Sequence, residues 1–255
     1  MELMSKVIIE ANPAFKKAVP DTDRYIDVAE FFCDTIQGEN FVGWPAAFLR
    51  VQHCTQNCIF CDSREVWRFG NPYTFDELLE LMEGVDLIRK FKDGQRLVLT
   101  GGSPLLQQEK LISFLQEFIQ KYGFKPYIEI ENESALMPKE EFVRMIDCWN
   151  NSPKLESSCN PIDSRYQPEI LKKLSSLKNS WFKFVVSCEE DWQEIRKDYL
   201  EKDLISKNQI VLMPLGATRD ELFANREFVL NMAVRENVRY STREHVVIWD
   251  RKTGV

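Results

Sequence analysis

Three cysteines stand within eight residues, Cys54-Thr55-Gln56-Asn57-Cys58-Ile59-Phe60-Cys61, and no other stretch restricts the chain as strongly. Thiolates are soft ligands that suit iron–sulfur clusters, zinc and copper(I). A [4Fe–4S] cluster is ordinarily held by four thiolates. Three close cysteines with no evident fourth would leave one iron open to a small molecule, which points to chemistry rather than electron storage. Structural zinc asks for four ligands, usually in two spaced pairs. Here there is one triplet, and His53 beside Cys54 points to the opposite face if the stretch is extended. Three buried structural thiols are the other alternative, since free cysteine packs like a small hydrophobe; the polar flank of Gln56 and Asn57 speaks against it. Seven cysteines, an odd number in a chain of 255 residues, do not read as a disulfide framework.

The loop follows an apolar run, Ala46 to Gln52, and strands and helices then alternate along the chain. Met1 to Asp27 reads as an irregular lead-in, and Val28 to Ile36 as extended. Thr74-x-x-Glu77 and Thr218-x-x-Glu221 are capping boxes that open helices. Gln107 to Tyr122 carries apolar residues at i, i+3, i+4 and i+7, with Gly123 where a C-terminal cap belongs. Strands are expected at Arg96–Thr100, Tyr127–Glu131, Lys154–Ser157, Trp181–Ser187 and Gln209–Pro214, and a last one at His245–Trp249. Helices are expected at Pro138–Trp149, Pro168–Leu177, Glu189–Glu201 and Thr218–Val234. Repeated β–α units imply a parallel sheet. Periodicity alone leaves open whether it is doubly wound or a partial barrel.

Around the cysteines stand Thr35-Ile36-Gln37-Gly38-Glu39, Gly43-Trp44-Pro45-Ala46, Phe48-Leu49-Arg50 and Cys61-Asp62-Ser63. In this order they resemble the 7-carboxy-7-deazaguanine synthase family of the radical S-adenosylmethionine (radical SAM) superfamily. The resemblance runs from about Val28 to Gly216 and is strongest between Thr35 and Ser63. It implies a partial (β/α)6 barrel: a single domain with its core at about 28–216 and a C-terminal extension at 217–255. It implies that Cys54, Cys58 and Cys61 hold a [4Fe–4S] cluster whose open iron takes S-adenosylmethionine, and that Ser63 ligates Mg2+. It implies a reaction in which 6-carboxy-5,6,7,8-tetrahydropterin becomes 7-carboxy-7-deazaguanine with loss of ammonia, in queuosine and 7-deazapurine biosynthesis. A homodimer and an electron donor such as flavodoxin go with it. A glycyl-radical activase within the superfamily, and a non-catalytic iron–sulfur binding protein outside it, are the alternatives.

Residue by residue, the family places substrate contacts at Ile36, Gln37, Gly38, Glu39, Arg50 and Thr100, with Arg50 gripping the substrate carboxylate. It places cofactor contacts at Phe60, Asp62, Gly101, Gly102, Ser103, Glu131, Ser152, Lys154, Met213 and Pro214. Two departures matter. Ser103 stands where the family has the glutamate of a Gly-Gly-Glu-Pro motif, and a hydroxyl cannot reproduce a carboxylate contact; Glu131 is the candidate substitute. Asn40 stands in place of a second glycine, a residue that tolerates left-handed backbone. Without the family, the Gly-Gly pair reads as a tight turn, Ser63 as a helix cap and Arg50 as a strand arginine among apolar neighbours.

Apolar residues make up 44% and charged residues 29% of the chain, as in ordinary globular proteins. A net charge of -7 argues against a broad nucleic-acid surface. No apolar run has the length of a membrane span and no signal-peptide pattern opens the chain, so a cytoplasmic location is expected.

Overall fold

The computed structural model describes residues 6–252 and Gly254. Ten strands form one sheet. On one flank lie β1 (Lys6–Ile9), β2 (Tyr25–Ile36), β3 (Pro45–Val51) and β4 (Asn71–Thr74). They are followed by β5 (Arg96–Gly101), β6 (Ile128–Asn132), β7 (Cys148–Asn151), β8 (Ser180–Val186), β9 (Ile210–Pro214) and the short β10 (Arg239–Tyr240). The order is β1-β2-β3-β5-β6-β7-β8-β9-β10, with β4 paired to β2. From β3 to β10 every neighbour is parallel. β2 meets β1, β3 and β4 antiparallel. Among the described residues β1 and β10 do not pair, so the sheet is open.

Alternation decides which side chains reach the site. Leu49, Leu99, Ile130, Phe184 and Leu212 join the main core. Their strand neighbours Arg50, Thr100, Glu131, Lys183 and Met213 point the other way and line one cavity. The core face is covered by helices such as Gln108–Tyr122, which buries Leu111, Phe114, Leu115 and Phe118. A slip of one residue in any strand would exchange the two sets. The cavity face is concave. The turn after β2 reaches across to the far end of the sheet, where Glu39 pairs with Lys183 of β8 and the Asn40 carbonyl accepts from Arg239 of β10 at 3.1 Å.

Both capping boxes are present, with Glu77 N–H and Glu221 N–H each 3.2 Å from their threonine Oγ1. Four expectations need correction. The lead-in contains β1, and β2 begins at Tyr25. Asn71–Thr74, where no strand was expected, is an edge strand, a place where proline is tolerated. The fourth parallel strand is Cys148–Asn151, not Lys154–Ser157, so the helix before it is only Glu140–Met145. Two asparagines disfavour a strand on propensity. Here they sit inside the sheet, Asn150 donating to Glu129 at 3.1 Å and Asn151 to Ser180 at 2.8 Å, and these bonds outweigh the preference. Finally, His245–Trp249 lies in a helix, Glu244–Trp249, although its β-branched run favours a strand. It follows β10, already at the sheet edge, and packs against the helix Arg219–Glu236.

Candidate functional site

The cavity has a volume of about 550 Å³, within the range of small-molecule sites. Every residue expected from the sequence to contact substrate, cofactor or metal lines it except Ser103, which is fully buried behind the wall.

One wall is the cysteine loop. Cys54, Cys58 and Cys61 all face the cavity. Each sulfur has an N–H donor. Gln56 N–H is 3.4 Å from Cys54 Sγ, Asn160 Nδ2 is 3.1 Å from Cys58 Sγ, and Trp67 Nε1 is 3.5 Å from Cys61 Sγ. Asn160 also accepts from Asn57 N–H at 2.7 Å, and Ile59 N–H donates to Ser158 at 3.2 Å, so the segment after β7 braces the loop. Burial pushes the Cys54 thiol up to about 12, so a metal has to displace that proton on binding. Among the described residues no three His, Cys, Asp or Glu side chains converge tightly enough to hold a single metal ion. Three thiols spread over one cavity wall suit a multi-iron cluster, whose iron atoms are themselves spread out. Cys33 and Cys148 are buried in the sheet and Cys159 is exposed, all apart from this wall.

The Gly101-Gly102 pair presses against that loop. A Cβ on Gly102 would lie 1.9 Å from the His53 carbonyl oxygen, and Gly101 has φ +137°. Only glycine fits so close a backbone approach.

The opposite wall is polar. Gln37 Nε2 donates to Glu129 at 3.1 Å and to Glu131 at 3.3 Å; Thr100 Oγ1 donates to Glu131 at 2.8 Å. Burial raises the Glu131 carboxyl above the usual range. Arg50 Nε is 3.2 Å from Glu30, and Lys154 donates to Ser152 at 2.9 Å. Lys183, paired with Glu39, is pushed down to about 7 by burial and by Arg243.

The rim comes from a segment to which the sequence assigned no role. Arg243 pairs with Asp62 and donates to the Gly216 carbonyl at 2.8 Å. Burial would raise the Asp62 carboxyl, but Arg243, with help from Arg50, holds it below its ordinary value. His245 lies against Gly38, where a Cβ would be 2.6 Å from its Nδ1. Arg243 Nη2 is 3.3 Å from His245 Nε2. A guanidinium can only donate, so that nitrogen is an acceptor and the ring is neutral. Burial, then Arg243, push His245 down to about 3, against the pull of Asp62.

The sign of its effect on stability follows. Below pH 6.5 the unfolded imidazole takes a proton that the folded one refuses until about pH 3. Stability present above pH 6.5 is therefore lost as pH falls towards 3, about 2 kcal/mol of it by about pH 5. Urea midpoints at about pH 7 and pH 5 should differ accordingly, and His245→Gln should remove most of the difference. A second expectation concerns Asn160. Removing its N–H from Cys58 with Asn160→Leu should lower the reduction potential of a bound cluster by some tens of millivolts. One hydrogen bond is worth about 1 kcal/mol, and tenfold in a one-electron equilibrium is about 59 mV. A redox titration followed by electron paramagnetic resonance reads this.

A sequence profile for a 4Fe-4S single cluster domain matches residues 37–148, from the Gln37 turn to the start of β7. A 7-carboxy-7-deazaguanine synthase of Pyrobaculum aerophilum is 28% identical over 232 residues, covering 90% of this chain and 97% of that one. Another, of Aquifex aeolicus, is 28% identical over 203 residues, covering 78% and 82%. Over most of its length the chain is thus similar to 7-carboxy-7-deazaguanine synthases, and the part that carries the three cysteines matches a 4Fe-4S single cluster domain. The crystal structure of QueE from Escherichia coli has the same fold, with a TM-score of 0.62 at 18% identity over 88% of this chain and 96% of that one.

Sequence reasoning missed Glu30, Lys183, Arg243 and His245 in the cavity. For Lys183 the signal existed: a lone charge between Phe182 and Phe184 in an apolar strand. For Arg243 and His245 there was none, because their helix reaches the site by packing alone. Glu131 was expected to stand in for the missing acid at Ser103, but its carboxylate is bonded to Thr100 and Gln37, whereas Ser103 donates to Glu133 at 2.6 Å.

Proposed function

We infer that the protein is a 7-carboxy-7-deazaguanine synthase: a radical SAM enzyme that converts 6-carboxy-5,6,7,8-tetrahydropterin to 7-carboxy-7-deazaguanine with loss of ammonia, in the queuosine and 7-deazapurine pathway. The observation that carries the reading is the cavity itself, in which the three thiols face the polar ends of β3, β5, β6 and β8.

The donor set fits the cofactors: thiols that each receive an N–H, a glycine cradle beside them and a buried carboxylate oxygen without a partner. A [4Fe–4S] cluster with S-adenosylmethionine would supply one-electron radical chemistry. The protein's share is to bind, orient and shield. Cys54, Cys58 and Cys61 hold the cluster. Gly101 and Gly102 admit the amino-acid part of S-adenosylmethionine, and Phe60, Asp62, Ser152, Lys154, Met213 and Pro214 surround the rest. Gln37, Glu39 and Thr100 present the acceptors and donors that a pterin edge needs, with Ile36 and Gly38 shaping the turn. Arg50 takes the substrate carboxylate, and Ser63 offers an oxygen to Mg2+. Lys183 Nζ and the Glu131 carboxyl, both shifted towards neutrality, are suited to exchange protons as ammonia leaves.

The same reading takes the curved sheet as the partial (β/α)6 barrel of radical SAM enzymes, with residues 217–255 as an extension. It includes a homodimer, an electron donor such as flavodoxin and a cytoplasmic location; among the described residues no helix is long and apolar enough to cross a membrane. The test is an anaerobic assay with reconstituted protein, S-adenosylmethionine, a reductant, Mg2+ and the carboxytetrahydropterin, read by product mass. Many turnovers per S-adenosylmethionine consumed are expected. Cleavage of S-adenosylmethionine without the deazaguanine product would discard the substrate, and no cleavage would discard the enzyme.

A further inference from the structure

Glu133, at the exit of β6, is 5% exposed and makes no ion pair among the described residues. Its Oε1 accepts from Ser103 Oγ at 2.6 Å and from Thr55 Oγ1 at 2.7 Å. Its Oε2 is buried and has no partner. A buried carboxylate held by hydroxyls on one oxygen and bare on the other is strongly unfavourable unless a donor arrives. The residue lines the cavity, so a ligand bound there is placed to supply that donor.

The two hydroxyls say where the ligand sits. Thr55 follows Cys54, and Ser103 follows Gly102, whose Cβ position would be 2.9 Å from Cys54 Cβ. The free oxygen therefore belongs to the junction between the thiol loop and the glycine cradle. An iron left open by three thiolates would take its ligand in that same place, and an amine bound there keeps N–H groups to donate. The other nearby acid is engaged, both Glu131 oxygens being held by Gln37 and Thr100.

We propose that Glu133 receives the α-amino group of S-adenosylmethionine, with Ser103 and Thr55 as the positioning residues that aim it. The proposal rests on the radical SAM reading. Ser103, where the family resemblance implies an acid, instead holds the carboxylate of Glu133.

The experiment measures binding on reconstituted holoenzyme by equilibrium dialysis, with iron content determined in every sample. The probes are S-adenosylmethionine, S-adenosylhomocysteine, which keeps the amino acid but lacks the sulfonium charge, and 5′-methylthioadenosine, which lacks the amino acid. Glu133→Gln should weaken the first two by about ten- to a hundredfold, the range for losing a charge-assisted hydrogen bond, and leave the third unchanged. The exchange Ser103→Glu with Glu133→Ser keeps charge and volume and should recover most of the affinity. Unchanged binding in Glu133→Gln would overturn the proposal, as would an equal loss for 5′-methylthioadenosine. Lost iron that the exchange does not restore would make Glu133 a structural residue of the loop and also overturn it. A wild-type protein that binds none of the probes would instead bring down the radical SAM reading.

Discussion

Cys58→Ala is expected to leave a folded protein with little iron and no turnover above background. Cys58 is the middle thiol of the loop and is buried, and its sulfur takes the Asn160 side-chain donor. A cluster held by three thiolates has none to spare, and removing one leaves two irons without a protein ligand. The backbone should survive, because Ile59 N–H to Ser158 and Asn57 N–H to Asn160 Oδ1 do not involve the thiol. Iron analysis, visible absorbance and the product assay read the result together. Cys159→Ala is the control: that thiol is exposed and outside the cavity, and its variant should keep iron and activity. Four irons in wild type and in Cys159→Ala, against almost none in Cys58→Ala, would fit the assignment. Turnover in Cys58→Ala would refute it, and one zinc per chain in wild type would replace it.

What the sequence conveyed about this site depended on where each residue's constraint comes from. The cysteine spacing, the Gln37 turn and the glycine pair are local, and each sits at a strand exit that alternation and turn residues announce. Strands such as Arg96–Gly101 and Ser180–Val186 are rich in apolar residues, mostly buried and bounded by turns, as parallel strands are. The failures are of another kind. Cys148–Asn151 looks unlike a strand because its asparagines are chosen for partners on β6 and β8, which no local window contains. His245–Trp249 looks like a strand because β-branched residues prefer one. Its conformation is settled by packing and by Glu244 N–H donating to the Gly38 carbonyl at 2.8 Å. Glu129, Glu131 and Glu133 alternate in the sequence as three like acids. Only the fold distinguishes them: Glu129 pairs with Arg96, Glu131 is bonded to Thr100, and Glu133 is left with a bare oxygen.

Gly102→Ala should be nearly as damaging as losing a cysteine, though it removes no ligand. The added methyl would meet the His53 carbonyl oxygen at 1.9 Å and its carbon at 2.4 Å, and these are backbone atoms with no rotamer to retreat into. His53 is itself at φ +71°, and its carbonyl is held by Ser103 N–H at 2.7 Å, so the segment delivering Cys54 is pinned from both sides. Relief requires moving the exit of β3 away from β5, which displaces Cys54 and breaks the Gly102 N–H bond to the Val51 carbonyl. Overpacking of this kind costs about 3 kcal/mol, a fall in melting temperature of roughly 6–12 °C for a chain of this size. Cluster retention and S-adenosylmethionine binding should fall with it. Gly84→Ala separates this clash from any general effect of adding a methyl group. Gly84 ends the helix Phe75–Gly84 and has nothing within 4 Å of its Cβ position, so alanine there should raise stability by about 0.5–1 kcal/mol. If both variants melted alike and kept their iron, the close approach of the glycine pair to the cysteine loop would have no mechanical role, and the site would owe its shape to the thiols alone.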